Sequence, residues 1–292
     1  MFEIIAQNIV SGIMVGALYG LAALGLSLVF GVLKILNVAH GELIMLGGYT
    51  TFWLFNLYGL DPFVSLLVVI PTLFVIGLLL HQGLFRPVVK LDEENRIKNS
   101  LLIGFGLTLV LQNLAIQLWT ADERSVTPAY STAALELWGV RLPVIRLAGL
   151  IIAILTVVAL ELFLNRSYWG KAVRATAEDW QTAALTGINI NMTYLLTFGL
   201  GASLAGIAGT LVTVSFSVSP FIGLQWTLKA LIVVVLAGLG SIGGVLAAGI
   251  LLGVTESLSA YYWGGEYREL VGLIIFLIVL SVRPQGLFGA KV

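Results

Sequence analysis

The stretch NRSYWGKAVRATAEDWQTAALTGININ, residues 165–191, is one of three long polar intervals in a chain that otherwise consists of apolar segments. It begins with the cations Arg166, Lys171 and Arg174, and a run of small residues follows towards Gly187. Alanines separated by charged residues at helical spacing predict a short amphipathic helix, and Gly187 stands where such a helix would be capped. Because this helix would connect two membrane-spanning segments, we expect it on the surface and not in the core.

The composition of the whole chain is that of a membrane protein. Hydrophobic residues make up 59% of its 292 residues and charged residues 10%, against about 25% charged residues in soluble proteins. The mean hydropathy is +1.03, and a net charge of zero gives no electrostatic case for nucleic-acid binding. The sequence therefore predicts an all-α polytopic membrane protein with a single transmembrane domain over residues 1–292.

Apolar runs of about the 20 residues that a bilayer requires indicate about nine transmembrane helices, within a range of 8–10. The predicted segments are 9–33, 43–58, 63–85, 101–119, 147–164, 192–216, two segments on either side of 238–244, and 270–282. The pair around Gly240 is also compatible with two half-helices of a broken or re-entrant segment, which would lower the number. Glycine-rich first and sixth helices indicate two repeated halves, as in many transporters.

Small residues recur at four-residue spacing in three of these segments, which predicts close contacts between helices. Such contacts can lie within the chain or at a subunit interface. The residues are Gly12, Gly16 and Gly20, then Gly201, Ala205 and Gly209, and finally Gly249 and Gly253.

The distribution of cations predicts the orientation of the chain in the membrane. Residues 86–98 carry four lysines and arginines, and residues 165–191 carry three. The positive-inside rule places both loops in the cytoplasm together with the C-terminus. The N-terminus and the interval 121–146 are then expected on the outer side of the membrane.

Several kinds of chemistry are excluded by composition and spacing. The chain has no cysteine and only two histidines, so thiol chemistry and a multi-histidine metal site are excluded. Gly238-x-Gly240-x-x-Gly243 matches a dinucleotide fingerprint, but apolar helical segments flank it, so it predicts a tight reversal. No G-x-x-x-x-G-K-[ST] phosphate loop occurs, and an ATP-driven process would need another subunit. We predict no catalytic residue, no metal and no cofactor.

Four polar residues inside apolar segments are candidates for a translocation pathway. Lys229 and Glu256 are ionisable groups at a depth where such groups are costly. A lysine that extends to the interface is the alternative for Lys229. Gln112 and Asn113 belong to a polar strip on the fourth segment, which must face protein or water; hydrogen bonding between helices is the alternative there.

The stretch RATAEDWQTAALTGINI, residues 174–190, resembles the cytoplasmic coupling loop of the branched-chain amino acid (LIV-type) permease family of bacterial ABC importers. Residues 20–49 and 229–253 resemble the same family, and a stretch similar to Asn37–Glu42, NVAHGE, follows its first span and implies a structural break. In that family the loop docks into a groove on a separate ATPase subunit. The residues that the resemblance assigns to the coupling loop are Arg174, Glu178, Asp179, Ala183, Ala184 and Gly187.

This resemblance implies an ABC-importer permease that translocates branched-chain or other neutral amino acids across the inner membrane. It also implies a second homologous permease subunit, two cytoplasmic ATPase subunits and a periplasmic substrate-binding protein as partners. One alternative is the same kind of permease with urea or short amides as cargo. Another is an ion-coupled secondary transporter that acts alone, which would need a carboxylate or a broken-helix ion site at the midplane.

Overall fold

The computed structural model describes residues 2–137, 139–238, 240–283 and 285–288. Eleven α-helices and one two-stranded antiparallel sheet occupy these residues. The helices are α1 (Phe2–Leu33), α2 (His40–Tyr58), α3 (Leu66–Leu80), α4 (Glu93–Trp119), α5 (Val144–Arg166), α6 (Tyr168–Glu178), α7 (Trp180–Leu185), α8 (Ile190–Ser215), α9 (Ile222–Ala237), α10 (Ile242–Trp263) and α11 (Arg268–Val282). The strands are β1 (Ala134–Leu137) and β2 (Val140–Pro143), and a π-helical turn, His81–Phe85, extends α3.

Each of the nine predicted apolar segments corresponds to one of these helices, and the all-α polytopic class is confirmed. Within the described residues, six helices are long and apolar enough to cross a membrane: α1, α3 with its π-helical extension, α4, α5, α8 and α10. The remaining three apolar helices, α2, α9 and α11, have 19, 16 and 15 residues. A helix of 15 or 16 residues is shorter than a perpendicular span requires, so α9 and α11 cross only part of the hydrocarbon layer or a locally thin one.

A helix followed by a six-residue break and a second helix occurs twice. Residues 34–39 separate α1 from α2, and residues 216–221 separate α8 from α9. The second residue of α2, Gly41, lies against the second residue of α9, Gly223. The contact is so close that a Cβ atom on Gly41 would overlap the carbonyl oxygen of Gly223. This pairing agrees with the predicted repeat of two halves, and the first break lies in the predicted NVAHGE stretch.

The first break is stabilised inside the protein by hydrogen bonds to its backbone. Thr227 of α9 accepts a hydrogen bond from the backbone N–H of Gly41 at 2.8 Å and donates to the carbonyl oxygen of Val38 at 2.9 Å. The imidazole Nε2 of His40 lies 2.8 Å from the carbonyl oxygen of Ala22. Irregular backbone is tolerated at membrane depth only where protein supplies such partners.

The reversal predicted around Gly240 is also present. Gly238 and Gly240 have φ angles of +99° and +86° between α9 and α10, a region that glycine adopts without steric cost. The alternative of two half-helices at this point is wrong for α10, whose 22 residues are long enough to span.

The predicted small-residue stripes are contacts within the chain. Gly12, Gly16 and Gly20 of α1 lie against α10, and a Cβ atom on Gly16 would stand 2.5 Å from the carbonyl oxygen of Gly249. Gly201 and Gly209 of α8 lie against α1 and α2 in the same way. In lipid no hydrophobic force drives helices together, so van der Waals contact between backbones stabilises these pairs.

The polar intervals lie at two opposite ends of the helices. Residues 86–98 and 174–181 share one end, where a cavity of about 370 Å³ between them is lined by residues of both. At the other end, Gln7 near the start of α1 exchanges hydrogen bonds of 2.8 and 2.9 Å with the backbone of Arg141. The predicted placement of the two cation-rich loops on one side of the chain is therefore present.

Adding one methyl group at the α1–α10 contact is expected to destabilise the protein. In Gly249→Ala the new Cβ atom would overlap the backbone of Gly16 and Gly20, so the two helices must move apart. Gly243→Ala is the matched control on the same helix, because no atom of the residues that the structure describes lies within 4 Å of its Cβ position, and alanine favours a helix over glycine by about 1 kcal/mol. Thermal unfolding in detergent should show a lower midpoint for Gly249→Ala only; equal midpoints would contradict the close packing.

Candidate functional site

A buried carboxylate connects four helices. It lies near the end of the helix bundle at which residues 121–146 are found. Glu256 of α10 is fully buried. Its Oε1 atom lies 2.5 Å from Nζ of Lys229 on α9, and its Oε2 atom lies 3.2 Å from Nε of Arg268 on α11. Tyr19 of α1 donates its hydroxyl to Oε2 at 2.9 Å. A charge that is removed from water in this way requires partners of opposite charge and hydrogen bonds, and Glu256 has both.

The structure brings together two of the four residues predicted for a pathway and adds two that sequence reasoning missed. The ammonium group of Lys229 is directed to Glu256 and lies 5.5 Å from the ring centre of Tyr19, so its charge pairs within the protein. Tyr19 stands among the small residues of α1, and Arg268 stands just before an apolar segment. No local pattern distinguishes either residue, because their partners lie far away along the chain.

A cavity of about 360 Å³ opens beside this cluster. Lys229 and Arg268 line it together with aromatic side chains of the second break and of α9, among them Phe216, Phe221 and Trp226. This volume lies in the range of about 300–1,000 Å³ that small-molecule sites occupy. Lys229 and Arg268 place two cations at its wall, and the carboxylates of Glu123 and Glu269 also line it, so the cavity offers groups of both charges to a ligand.

The predicted pathway residues of α4 lie elsewhere. Asn113 is exposed on the outside of the chain, and its amide donates to the carbonyl oxygen of Leu109 at 2.8 Å. Gln112 is half-buried beside it, and neither residue lines the cavity at Glu256. Within one chain the two residues are therefore separate from the cavity. The exposed amide of Asn113 still requires protein or water as a neighbour, since hydrocarbon offers no hydrogen-bond partner.

At the opposite end, the polar interval 165–191 forms two helices and not the single helix predicted from Arg174 to Gly187. The backbone leaves the helical conformation at Asp179, with φ −153° and ψ 102°. The Asp179 carboxylate accepts hydrogen bonds from the Thr182 hydroxyl and from the backbone N–H groups of Thr182 and Gln181. These hydrogen bonds hold the pKa of the Asp179 carboxyl below its usual range, and the bond from the Thr182 hydroxyl contributes most. Asp179 is thus an N-cap, a position that aspartate strongly favours.

The helix α6 packs by one face and the helix α7 is largely open. Ala172, Val173 and Thr176 of α6 are buried, whereas Arg174 and Glu178 are exposed and Arg174 bonds the Asn165 side chain at 2.6 Å. On α7, Ala183 faces inwards while its neighbour Ala184 is exposed. Gly187 follows with φ +87°, as predicted for a helix cap.

Two large apolar side chains of α7 are in contact with solvent, and sequence reasoning did not single them out. Leu185 is 89% exposed and Trp180 is 45% exposed. They stand outside the long apolar segments, at an end of the chain where charged residues surround them. Exposed apolar groups with polar neighbours mark surfaces that contact another protein.

Comparison with known proteins places these features in a family. The model of the family described as "Branched-chain amino acid transport system / permease component" matches residues 8–280. BraD of Pseudomonas aeruginosa, a high-affinity branched-chain amino acid transport system permease protein, is 33% identical over 97% of this chain and 95% of its own length. No solved structure matches the chain significantly.

Two relatives from Salmonella typhimurium carry the same system name. The high-affinity branched-chain amino acid transport system permease protein LivH is 30% identical over 97% of this chain and 95% of its own length. The permease protein LivM of the system with that name is 28% identical over 92% of this chain and 67% of its own length. The chain belongs to the family of permease components of branched-chain amino acid transport systems.

Proposed function

We propose that this chain is a permease subunit of an ABC importer, and that it carries branched-chain or other neutral amino acids across the bacterial inner membrane. One observation carries the proposal: a charged cavity lies at one end of the helices, and an exposed amphipathic helix pair lies at the other. Such an arrangement suits a protein that receives a small polar substrate on one side and a protein partner on the other.

The cavity at Glu256 has the groups that a neutral amino acid would engage. The cations of Lys229 and Arg268 are suited to the substrate carboxylate, since charge-assisted hydrogen bonds to a carboxylate are strong. Glu123 and Glu269 on the rim can accept the ammonium group. Phe216, Phe221 and Trp226 supply apolar surface for a hydrocarbon side chain. Urea and short amides lack the two opposite charges that would engage both the cations and the carboxylates of this cavity.

The helices α6 and α7 are the element through which ATP hydrolysis acts on the permease. Leu185, Ala184 and Trp180 are open for contact with an ATPase subunit, and the cap at Asp179 fixes the shape of α7. Immediately after α7 comes α8, which is buried against α1, α2 and α3. A displacement of α7 is therefore transmitted to the packed centre of the chain, and helices that pack closely respond by moving as rigid bodies.

The remaining partners follow from the surfaces that the chain leaves open. The α4 face with Asn113 is suited to a second homologous permease, because its exposed amide requires protein or water as a neighbour and hydrocarbon supplies neither. Two different permease proteins that bear one system name in Salmonella typhimurium support a heteromeric pair. A periplasmic substrate-binding protein would deliver the amino acid to the end with residues 121–146, and two ATPase subunits would bind α6–α7.

An ion-coupled transporter that acts alone agrees less well with these contacts. It would need a carboxylate that is available to an ion near the midplane. The predicted candidate, Glu256, already pairs with Lys229 and Arg268 and accepts a hydrogen bond from Tyr19. The exposed helix α7 would also have no partner in that mechanism.

Removal of the Lys229 ammonium is expected to reduce uptake without preventing folding. In Lys229→Met the buried Glu256 still pairs with Arg268, but the cavity loses one of the two cations that would bind the substrate carboxylate. The loss of one charge-assisted hydrogen bond in a transport step corresponds to roughly a tenfold lower rate of leucine uptake. Arg141→Met is the control, since Arg141 lies at the same end, is exposed and pairs only with exposed Glu136. Parental uptake by Lys229→Met would contradict the role of the cavity.

A bulky residue on α7 is expected to separate the permease from its ATPase. Ala184 is exposed, so Ala184→Trp should fold normally and clash only with a docked partner, and Leu185→Ser removes the most exposed apolar group. Both variants should lose co-purification of the ATPase and substrate-stimulated ATP hydrolysis. Ala133→Trp places the same bulk on an exposed position at the opposite end and should retain both. Retention by all three would show that α7 is not the coupling element.

The proposed orientation can be measured in this cysteine-free chain. Single cysteines at the exposed positions Lys98 and Lys171 should react with a membrane-impermeant maleimide only from the cytoplasmic side. A cysteine at the exposed position Thr132 should react only from the periplasmic side. Periplasmic labelling of Lys98→Cys and Lys171→Cys would invert the orientation and with it the location of the ATPases.

A further inference from the structure

A second polar cavity lies at the α7 end of the chain, between the end of α3 and the start of α8. Its volume is about 250 Å³. Five polar side chains line it, from His81, Gln82, Arg86, Asn189 and Asn191, and Met192 and Leu195 of α8 complete its wall. None of the transport steps described above uses these residues.

His81 is the unusual member of this set. Its side chain is 3% exposed, and neither ring nitrogen has a hydrogen-bond partner among the described residues. A neutral imidazole carries one donor and one acceptor, and a buried polar group without a partner is costly. The ring is held in place by Phe198, at 5.8 Å between ring centres. An unpartnered histidine on the wall of a cavity indicates that a ligand supplies the missing bond.

The local backbone presents His81 and Arg86 to the same space. His81 is the first residue of a π-helical turn, His81–Phe85, and Arg86 directly follows this turn. The Arg86 N–H donates to the His81 carbonyl oxygen at 2.7 Å. Turns of this kind are rare and are frequent at functional sites. In a regular α-helix, residues five apart would point in clearly different directions.

The charge of this cavity is positive. Arg86 takes part in none of the ion pairs among the described residues, and no acidic residue lines the cavity. Asn189 caps α8 by accepting the Met192 N–H at 3.1 Å, which leaves its amide N–H groups as donors. The N-terminus of a 26-residue helix adds partial positive charge at the same place. Donors on several sides suit a group with several acceptor oxygens.

The depth of the cavity indicates which anion reaches it. The candidate spans Leu66–Phe85 and Ile190–Ser215 both have an end here, and Arg86 and Asn189 are the first residues outside them. The cavity therefore lies at the level of the phospholipid headgroups. Met192 beside it is 38% exposed and offers apolar surface to an acyl chain.

We propose that this cavity binds the phosphate group of an anion, with Arg86 and His81 as the principal donors. The planar guanidinium of Arg86 matches two phosphate oxygens, and His81 donates a ring N–H to a third. The source of the phosphate is an anionic phospholipid of the surrounding leaflet or free phosphate on the same side. A bound phosphate would link the end of α3 to the start of α8. The start of α8 lies directly after the turn that follows α7. The proposal does not depend on the transported substrate.

The test measures lipid binding to the purified full-length chain by native mass spectrometry. Phosphatidylglycerol, phosphatidylcholine and inorganic phosphate are the probes. The parent is expected to bind phosphatidylglycerol more tightly than phosphatidylcholine, and Arg86→Gln should weaken phosphatidylglycerol binding roughly tenfold. Lys90→Gln is the matched control, because it removes an exposed cation four residues away that does not line the cavity, and it should stay within about twofold of the parent.

The two sources of phosphate give different results in the same assay. If inorganic phosphate displaces phosphatidylglycerol from the parent, free phosphate also occupies the site. If it does not, the bound phosphate group belongs to the lipid. His81→Leu should weaken binding as well; if that variant does not fold, Arg86→Gln alone decides. The proposal is wrong if the parent binds neither phosphatidylglycerol in preference to phosphatidylcholine nor phosphate. It is also wrong if Arg86→Gln and Lys90→Gln weaken binding equally.

Discussion

The contact between α1 and α10 is the interaction on which the rest of the structure depends. Glycines on both helices let the two backbones lie very close together. One added Cβ atom would overlap the backbone of the facing helix. This approach places Tyr19, next to the glycine contact on α1, within 2.9 Å of Glu256, which lies three residues after Gly253 on α10. A wider separation would leave the buried carboxylate of Glu256 without its hydroxyl partner, at the cost of an incompletely satisfied charge in low dielectric.

The two helix breaks interrupt this packed centre and border the cavity that we propose as the substrate site. Residues 216–221 precede α9, and Phe216 and Phe221 line the same cavity as Lys229 and Arg268. Residues 34–39 form the corresponding break in the other half. There the Thr227 hydroxyl makes hydrogen bonds to the backbone around Gly41. Breaks at membrane depth expose backbone and polar side chains to a ligand, which a continuous helix cannot do.

The opposite end of the helices carries the surface that we propose for the ATPase subunit. Asp179 ends α6 and caps α7, which leaves Leu185 and Trp180 exposed for another protein. The phosphate site that we infer at His81 and Arg86 lies where α8 begins, directly after that helix. The coupling surface and the lipid headgroup level thus meet on one element, so the phospholipid composition of the leaflet and the ATPase would act on the same end of α8.

The sequence by itself determined what depends on short stretches of chain: nine apolar helices, the amphipathic interval 165–191, the glycine cap at Gly187 and the family. These features follow from hydropathy and local backbone preference, which act over a few neighbouring residues. Only the tertiary structure decided that Lys229 and Glu256 meet Tyr19 and Arg268, that Asn113 faces outwards, and that His81 has no hydrogen-bond partner among the described residues. Contacts between residues as far apart as Tyr19 and Glu256 depend on the rotation and register of each helix, and close packing fixes both only when all the helices are in place.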